Sequence, residues 1–508
     1  MAVSVFIPVP ALATFALVVA LATPGAQAPS QTTLIRNARV IDGSGGAARA
    51  ADVRIEGDRI TAVGQLTPAA GEQVIDAQGL ALAPGFIDTH SHHERGLDKG
   101  RDALAMVSQG ITTIVSGQDG GGMNLAALFA RLEQHPASVN VASYAGHGEI
   151  RDHVMGDDFQ RHATGAELDR MKALLQAEMA AGALGLSTGL EYDPGIYSAR
   201  DEVLALAKVA GAAGGRYISH MRSEDRDFWE ALDEIIQIGR ANAMPVQISH
   251  MKLAMRGLWG QSAKLVAELD RARASGVQLT ADIYPYTYWQ SNLGVLYPKR
   301  NFDDAAETAF VLEHVAGAED IIFSAFRGHP EYAGKTLADI AGMRGASHAK
   351  TLMDLLASPG GPDAGIVARG MADADVERLM QWPFANVCSD GTSSGLHPRG
   401  FGSFPKVLGP YVRDKKLFTL EEAVRKMTTL AAANVGIVDR GRIATGQFAD
   451  LVLFDPATVA DRADFGKAQA QAVGIHTVWV NGQVVFSDGQ TTGMFSGRPL
   501  RRAVTAGR

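Results

Sequence analysis

The chain has one cysteine, Cys388, so no intramolecular disulfide can form and a disulfide-stapled fold is excluded. No Lys/Arg block stands out, and 47 basic against 55 acidic residues leave a net charge of −8, which speaks against nucleic acid as a partner. Beyond the N-terminal segment no stretch reaches about 18 uninterrupted apolar residues, so no further membrane span is expected. Charge is also missing at the start, where Arg36 is the first charged side chain. What remains is ordinary for a folded protein, 46% hydrophobic and 20% charged over 508 residues, which excludes a disordered or coiled-coil chain.

The uncharged start contains an apolar run at Phe15–Ala22, followed by the small-x-small triplet Ala26-Gln27-Ala28. This predicts a secretory signal peptide over residues 1–28 and a periplasmic or secreted protein. The alternative is an anchor that stays attached; Pro8, Pro10 and the lack of a basic residue before the run are untypical of a signal.

From residue 84 onward short apolar runs alternate with longer amphipathic stretches. Val203, Leu204, Leu206, Ala207 and Val209 recur at helical spacing until Gly214-Gly215 stops them, and the β-prone Arg216–His220 follows. A second helical run over Phe228–Ala243 leads to Val246–His250, and a third near Ser262–Ala274 leads to Val277–Tyr286. A spacing of roughly 30 residues is the size of a βα unit and predicts a parallel sheet. Enough units fit between 83 and 436 for an eight-stranded (β/α)8 TIM barrel. An open doubly wound sheet is the runner-up, disfavoured because no GxGxxG follows the first strand. The flanks differ: 29–82 and 437–508 carry alternating β patterns with turn residues between them. They are expected to pair into one small β-sandwich, since neither is long enough to form a sheet domain alone.

The polar residues at the strand ends carry the chemistry. Gly85–His92 is an apolar strand finishing in His90-Ser91-His92. Two further strands finish in His220 and His250, and Asn386–Asp390 finishes in Asp390. In a βα barrel these ends meet at one face, where catalytic groups lie. Side chains two apart on a strand point the same way, so His90 and His92 can grip one ion. A single histidine at a strand end is more often a structural hydrogen-bonder, but four histidines and an aspartate at the ends of four separate strands predict a divalent metal site suited to zinc. His93 should point away and is read as structural or outer. His147 ends another strand and either lines the pocket or is structural. Cys388 is read as packing, and Gly120-Gly121-Gly122 as a turn rather than a phosphate loop.

At these residues the chain resembles the amidohydrolase superfamily, in its D-aminoacylase (N-acyl-D-amino-acid deacylase) branch. The stretches PGFIDTHSH, GLSTGLEYDPGIYS, RYISHMRSE, VQISHMK, DIYPYT, SDG and HPRGFGSFP carry the likeness. The resemblance implies a TIM barrel with a β-sandwich and one or two Zn2+ ions, or another divalent metal, at the barrel mouth. It assigns His220 and His250 to one metal site, and His90, His92 and Asp390 to a second. Where the branch usually has a cysteine after the second strand, this chain has Asp119, a harder ligand that can bridge two ions. Glu191 is a fallback bridge, and no carbamylated lysine is expected. The implied reaction is hydrolysis of N-acyl-D-amino acids to a carboxylate and a D-amino acid. Asp390 would act as the catalytic acid–base, and Tyr192 or His220 would sit near the oxyanion. Arg399 matches the arginine that holds the substrate carboxylate, with Lys252 and Tyr284 as weaker candidates. Trp259 and Phe401 are guesses for the acyl chain. The alternatives are a dipeptidase or related amidase or esterase acting on D-residue peptides or amides, and, less favoured, an inactive metal- or solute-binding module. The partner expected is a small acyl amino acid or short peptide.

Overall fold

The structure, a computed structural model, describes Met1 and residues 32–503. Apart from Met1, the expected signal peptide lies outside the described residues. Period-two alternation builds the first sheet. β1 (Thr32–Val40), β2 (Arg49–Glu56) and β3 (Arg59–Gly64) pair antiparallel in turn. β4 (Gln73–Asp76) and β5 (Ala81–Pro84) then run parallel to β1. Ile35, Val53, Ile55 and Ile60 face one buried cluster from these strands.

Gly85 hands the chain to the second unit. A Cβ there would stand 2.2 Å from the Thr112 side chain, so only glycine allows the strands to approach. β6 (Phe86–Asp88), β7 (Ile111–Ser116) and β8 (Asn140–Ser143) pair parallel. After a break at Tyr144, β9 (Ala145–Gly146) continues into β10 (Gly185–Gly189), β11 (Arg216–His220), β12 (Val246–Ile248) and β13 (Leu279–Ile283), all parallel. Helices cover the connections. Phe228–Asn242 ends within one residue of the sequence expectation, and Gly165–Ala181 opens on a capping box between Thr164 and Glu167.

Between β13 and the last parallel strand the rhythm breaks. β14 (Tyr288–Asn292), β15 (Ile321–Ala325) and β16 (Gly365–Arg369) form a separate antiparallel sheet, an insertion that the sequence reading does not anticipate. Arginines clamp it over the ring. Arg226 holds Glu307 through two bonds of 3.0 and 2.7 Å, and Arg300 donates to the Asp193 carboxylate at 3.0 Å and the Glu191 carbonyl at 2.9 Å. β17 (Ala385–Val387) then pairs parallel with β13. A parallel bridge between Ser91 and Gly391, with Asp390 N donating to His90 O at 2.8 Å, brings the end of β17 back against the end of β6. The strand order therefore closes on itself, which an open doubly wound sheet would not do.

The chain end returns to the first sheet. β18 (Leu451–Phe454) pairs antiparallel with β5, and β19 (Ile475–Val480), β20 (Gln483–Ser487) and β21 (Gln490–Thr491) follow outward. Leu451, Leu453 and Trp479 join the same buried cluster as Ile35 and Val53, so the two flanks cover each other's apolar faces. The tail then crosses the ring's other end, with Gly497 N on Ala137 O and Leu500 N on Val141 O, both at 2.8 Å.

Candidate active site and metal centre

Side chains at or just beyond the C-terminal ends of six ring strands converge on a cavity of about 640 Å³. His92, Asp119, Tyr192, His220, His250, Lys252, Asp390 and Arg399 all line it. His90 lies fully buried behind them, with Nε2 3.4 Å from Asp119 Oδ1 and 3.6 Å from Asp390 Oδ1. Tyr284 is not among the lining residues. It is buried beneath Arg399, whose guanidinium carbon is 4.9 Å from its ring centre, and its hydroxyl has no hydrogen-bond partner among the described residues.

Three positions hold unusual backbone. Asp119 (φ 53°), His250 (φ 35°) and Asp390 (φ 48°) are all left-handed, a conformation costing a non-glycine residue about 1–3 kcal/mol when the surroundings enforce it. Those surroundings are visible. Asp282 Oδ1 accepts the His250 N–H at 2.5 Å, and His90 O accepts the Asp390 N–H. A Cβ on Gly189 would stand 2.2 Å from Asp119 O, so the second loop is wedged against β10.

The ligating atoms fall into groups with all members within 4.8 Å of one another. His90, His92, Asp119 and Asp390 form the first group, with His92 Nε2 3.2 Å from Asp119 Oδ2 and 3.4 Å from Asp390 Oδ1. Asp119, His220 and His250 form the second, with His250 Nε2 3.3 Å from Asp119 Oδ1 and 3.1 Å from His220 Nδ1. Both ring nitrogens of His90 and Oδ1 of Asp119 are buried without a hydrogen-bond partner among the described residues. Orphaned nitrogen and carboxylate oxygen atoms facing one another fit a divalent cation, and the set suits zinc.

The outer faces of two imidazoles are also held. His220 Nε2 is 2.9 Å from Glu191 Oε2, which places Glu191 behind His220. His250 Nδ1 is 3.0 Å from Glu224 Oε1 and 2.7 Å from Lys252 Nζ, and Lys252 is itself 2.5 Å from Glu224 Oε2. Glu191, His220 and Glu224 thus make a third acidic group. Glu224 has no role in the sequence reading. Its signal was its place four residues after His220, inside the stretch RYISHMRSE.

Charges set the protonation of the site. Burial pushes the Asp390 carboxyl up, but Arg399, His250, His92 and His90 outweigh it and hold Asp390 well below the usual carboxylate range. Asp119 behaves alike, with His90 and His250 outweighing burial. Burial lowers His92, yet its bonds to Asp119 and Asp390 lift it to about 9. Burial, with Asp119, Glu224 and Glu191 beside it, raises the Tyr192 phenol well above its ordinary value, so it stays a donor.

The remaining expectations divide. His93 bonds Ser91 Oγ at 2.9 Å and Gly400 O at 3.1 Å, and Cys388 is buried among packing residues. His147 turns to Glu202 at 2.8 Å and does not line the cavity. Trp259 donates to Gly370 O at 2.8 Å and Phe401 is buried, and neither reaches the cavity. The apolar wall comes from the insertion instead, through Trp289, Val295, Leu296 and Val315.

The sequence matches the amidohydrolase family model over residues 73–381 and 363–486. The chain belongs to the amidohydrolase family. Within it, this amidohydrolase is 37% identical to a D-aminoacylase from Alcaligenes xylosoxydans xylosoxydans over 495 residues, covering 92% of this chain and 97% of that one. An N-acyl-D-glutamate deacylase from the same organism is also 37% identical, covering 92% and 96%. The crystal structure of a D-aminoacylase superposes with a TM-score of 0.84 at 35% identity, over 93% of this chain and all of that one. An N-acyl-D-glutamate deacylase from Bordetella bronchiseptica, complexed with zinc and a phosphonate mimic of the tetrahedral intermediate, superposes equally well at 35% identity over the same shares. These relatives place the chain in the D-aminoacylase branch.

Proposed function

We propose that this amidohydrolase hydrolyses the amide bond of N-acyl-D-amino acids, releasing a carboxylate and a D-amino acid, with zinc or another divalent ion. The observation that carries the reading is the convergence of four imidazoles and two aspartates at the floor of one cavity, His90 from just behind it, in a chain whose relatives over nearly its whole length are deacylases of this class. His90, His92, Asp119, His220, His250 and Asp390 would hold one or two ions. Such an ion, when bound, polarises the scissile carbonyl and lowers the pKa of water to about 7.

The chain's own residues do the rest. Asp390, kept ionised by Arg399, accepts a proton from the attacking water and returns it to the leaving nitrogen, which departs only as a neutral amine. Arg399 lines the cavity and donates to Asp390 from Nη1, leaving its planar fork to take the substrate carboxylate. Tyr192, whose ring centre is 4.3 Å from that of His220, supplies a protonated hydroxyl near the oxyanion. Lys252, tied to Glu224 and His250, neutralises the carboxylate behind the site.

The closed order of parallel strands supports a (β/α)8 barrel over 83–436, and the sheet shared by the two flanks supports a β-sandwich from 29–82 and 437–508. The uncharged start of the chain supports a cleaved signal peptide over 1–28 and a periplasmic or secreted address. The test is a screen of D- and L-acyl amino acids, and of dipeptides ending in a D-residue, with purified enzyme of measured metal content. Acetate release from N-acetyl-D-methionine, and little from the L-isomer, is expected. A metal-loaded enzyme that turns over peptides but no acyl amino acid would move the assignment to a dipeptidase.

A further inference from the structure

We infer that the acyl half of the substrate is an unbranched aliphatic chain, laid in a groove that leaves the metal centre beside the ends of β6 and β7; this rests on the deacylase reading above. The catalytic cavity does not stop at the candidate ligands. A hollow of about 410 Å³ adjoins it, and Arg95, Gln118, Gly121 and Glu149 line both. A further hollow of about 250 Å³ shares Glu94, Leu128 and Arg131 with the second. Helix Leu125–Gln134 runs under these two hollows, with Leu125, Leu128 and Leu132 following one another at helical spacing along their walls. Leu97, Ala137 and Val141, all nearly fully buried, complete the apolar lining of the far hollow.

The groove starts where an acyl group would lie. Arg399, proposed to hold the carboxylate of the amino acid, is 2.6 Å from Asp390; Asp390 is 3.4 Å from His92, and His92 is 3.2 Å from Asp119. That row ends next to Gln118, and Arg399 lines neither outer hollow. An amino acid anchored at Arg399 therefore leaves its acyl substituent at the Gln118 end. The walls there select against a charged or peptide-like chain. Arg131 donates to Asp98 at 3.1 Å, Arg101 donates to Pro136 O at 3.0 Å, and Arg95 lies 3.7 Å from Glu94 Oε1, so the cations along the groove are engaged. Gln118 Oε1 and Glu94 Oε2 lack hydrogen-bond partners among the described residues, but both are shielded from the open space. Amide groups lying over the leucines would lose water without replacement, whereas methylenes gain by leaving it.

The test is a chain-length series, N-acetyl-, N-hexanoyl- and N-octanoyl-D-methionine, on the metal-loaded full chain. A fully buried methylene is worth about fourfold, so kcat/KM should rise along the series by about tenfold or more. Leu128→Glu, at a position that lines only the two outer hollows, should abolish the gain and leave the acetyl substrate within about twofold of the parent. Ala127→Trp, at an exposed position lining the middle hollow, obstructs the same path and serves if Leu128→Glu does not fold. A flat series in the parent, or a gain that survives in whichever variant folds, would overturn the groove. Calorimetry reads the groove without turnover: octanoate should bind the parent at least tenfold more tightly than acetate, and Leu128→Glu should lose that margin. Octanoate binding of this kind in a protein that hydrolyses no N-acyl-D-amino acid upholds the groove and removes the deacylase reading. Hydrolysis of N-acetyl-D-methionine with a flat series does the reverse.

Discussion

Arg399 Nη1 donates to Asp390 Oδ2 at 2.6 Å, with both side chains more than nine-tenths buried. One guanidinium thus holds the carboxylate proposed to carry the proton ionised, while lining the cavity proposed to take a substrate carboxylate. Under that proposal binding and chemistry share a cation, which makes the two separable only by choice of substrate.

Asp390→Asn keeps an oxygen for the metal but removes the base. It is expected to lower kcat by about 10²–10⁴-fold while metal content stays nearly constant. Steady-state kinetics beside metal analysis check this, and normal turnover would remove Asp390 from proton transfer.

Arg399→Ala should lower kcat on every substrate, because Asp390 loses its partner. It should raise KM only for substrates with a free carboxylate, not for the corresponding amides. Equal KM effects on acids and amides would refute the carboxylate contact.

Glu224→Gln removes the charge behind His250 Nδ1, the outer contact that orients a ligating imidazole. Metal affinity should weaken by about 10–100-fold. Competition against a chelator of known affinity measures it, and an unchanged Kd would leave Glu224 as a mere partner of Lys252.

Burial pushes the Lys426 ammonium down to about 8, although Glu422 nearby acts the other way. Its Nζ donates to Trp382 O at 2.7 Å and Ala385 O at 2.9 Å. Between about pH 8 and 10 the unfolded chain binds more protons at this site than the folded one, so folding gains stability as pH rises through that window. Urea unfolding should therefore show the parent gaining on Lys426→Met from pH 8 to 10; parallel profiles would contradict it.

The parts of this architecture that repeat were legible in the sequence. Periodic apolar positions such as Val203 and Leu206 mark helices regardless of context, and His90 and His92 announce themselves by spacing alone. The parts that depend on distant packing were not. Glu224 looks like any loop glutamate until His250 folds back beside it. Trp259 and Trp289 are both plausible pocket residues by composition, and only the antiparallel insertion, whose strands pair across a long intervening segment, decides that Trp289 faces the cavity. Arg399 was expected to meet a ligand, but its grip on Asp390 required the turn that brings the two together.

The pairing of β5 with β18 links strands with the whole parallel ring between them in the chain. A ribosome must therefore pass β18 before this sheet can close, and until then β5 presents an unmatched row of backbone donors and acceptors. Chains cut short before β18 should be the aggregation-prone forms of this protein, and a helper that shields that bare edge would raise the yield of native material.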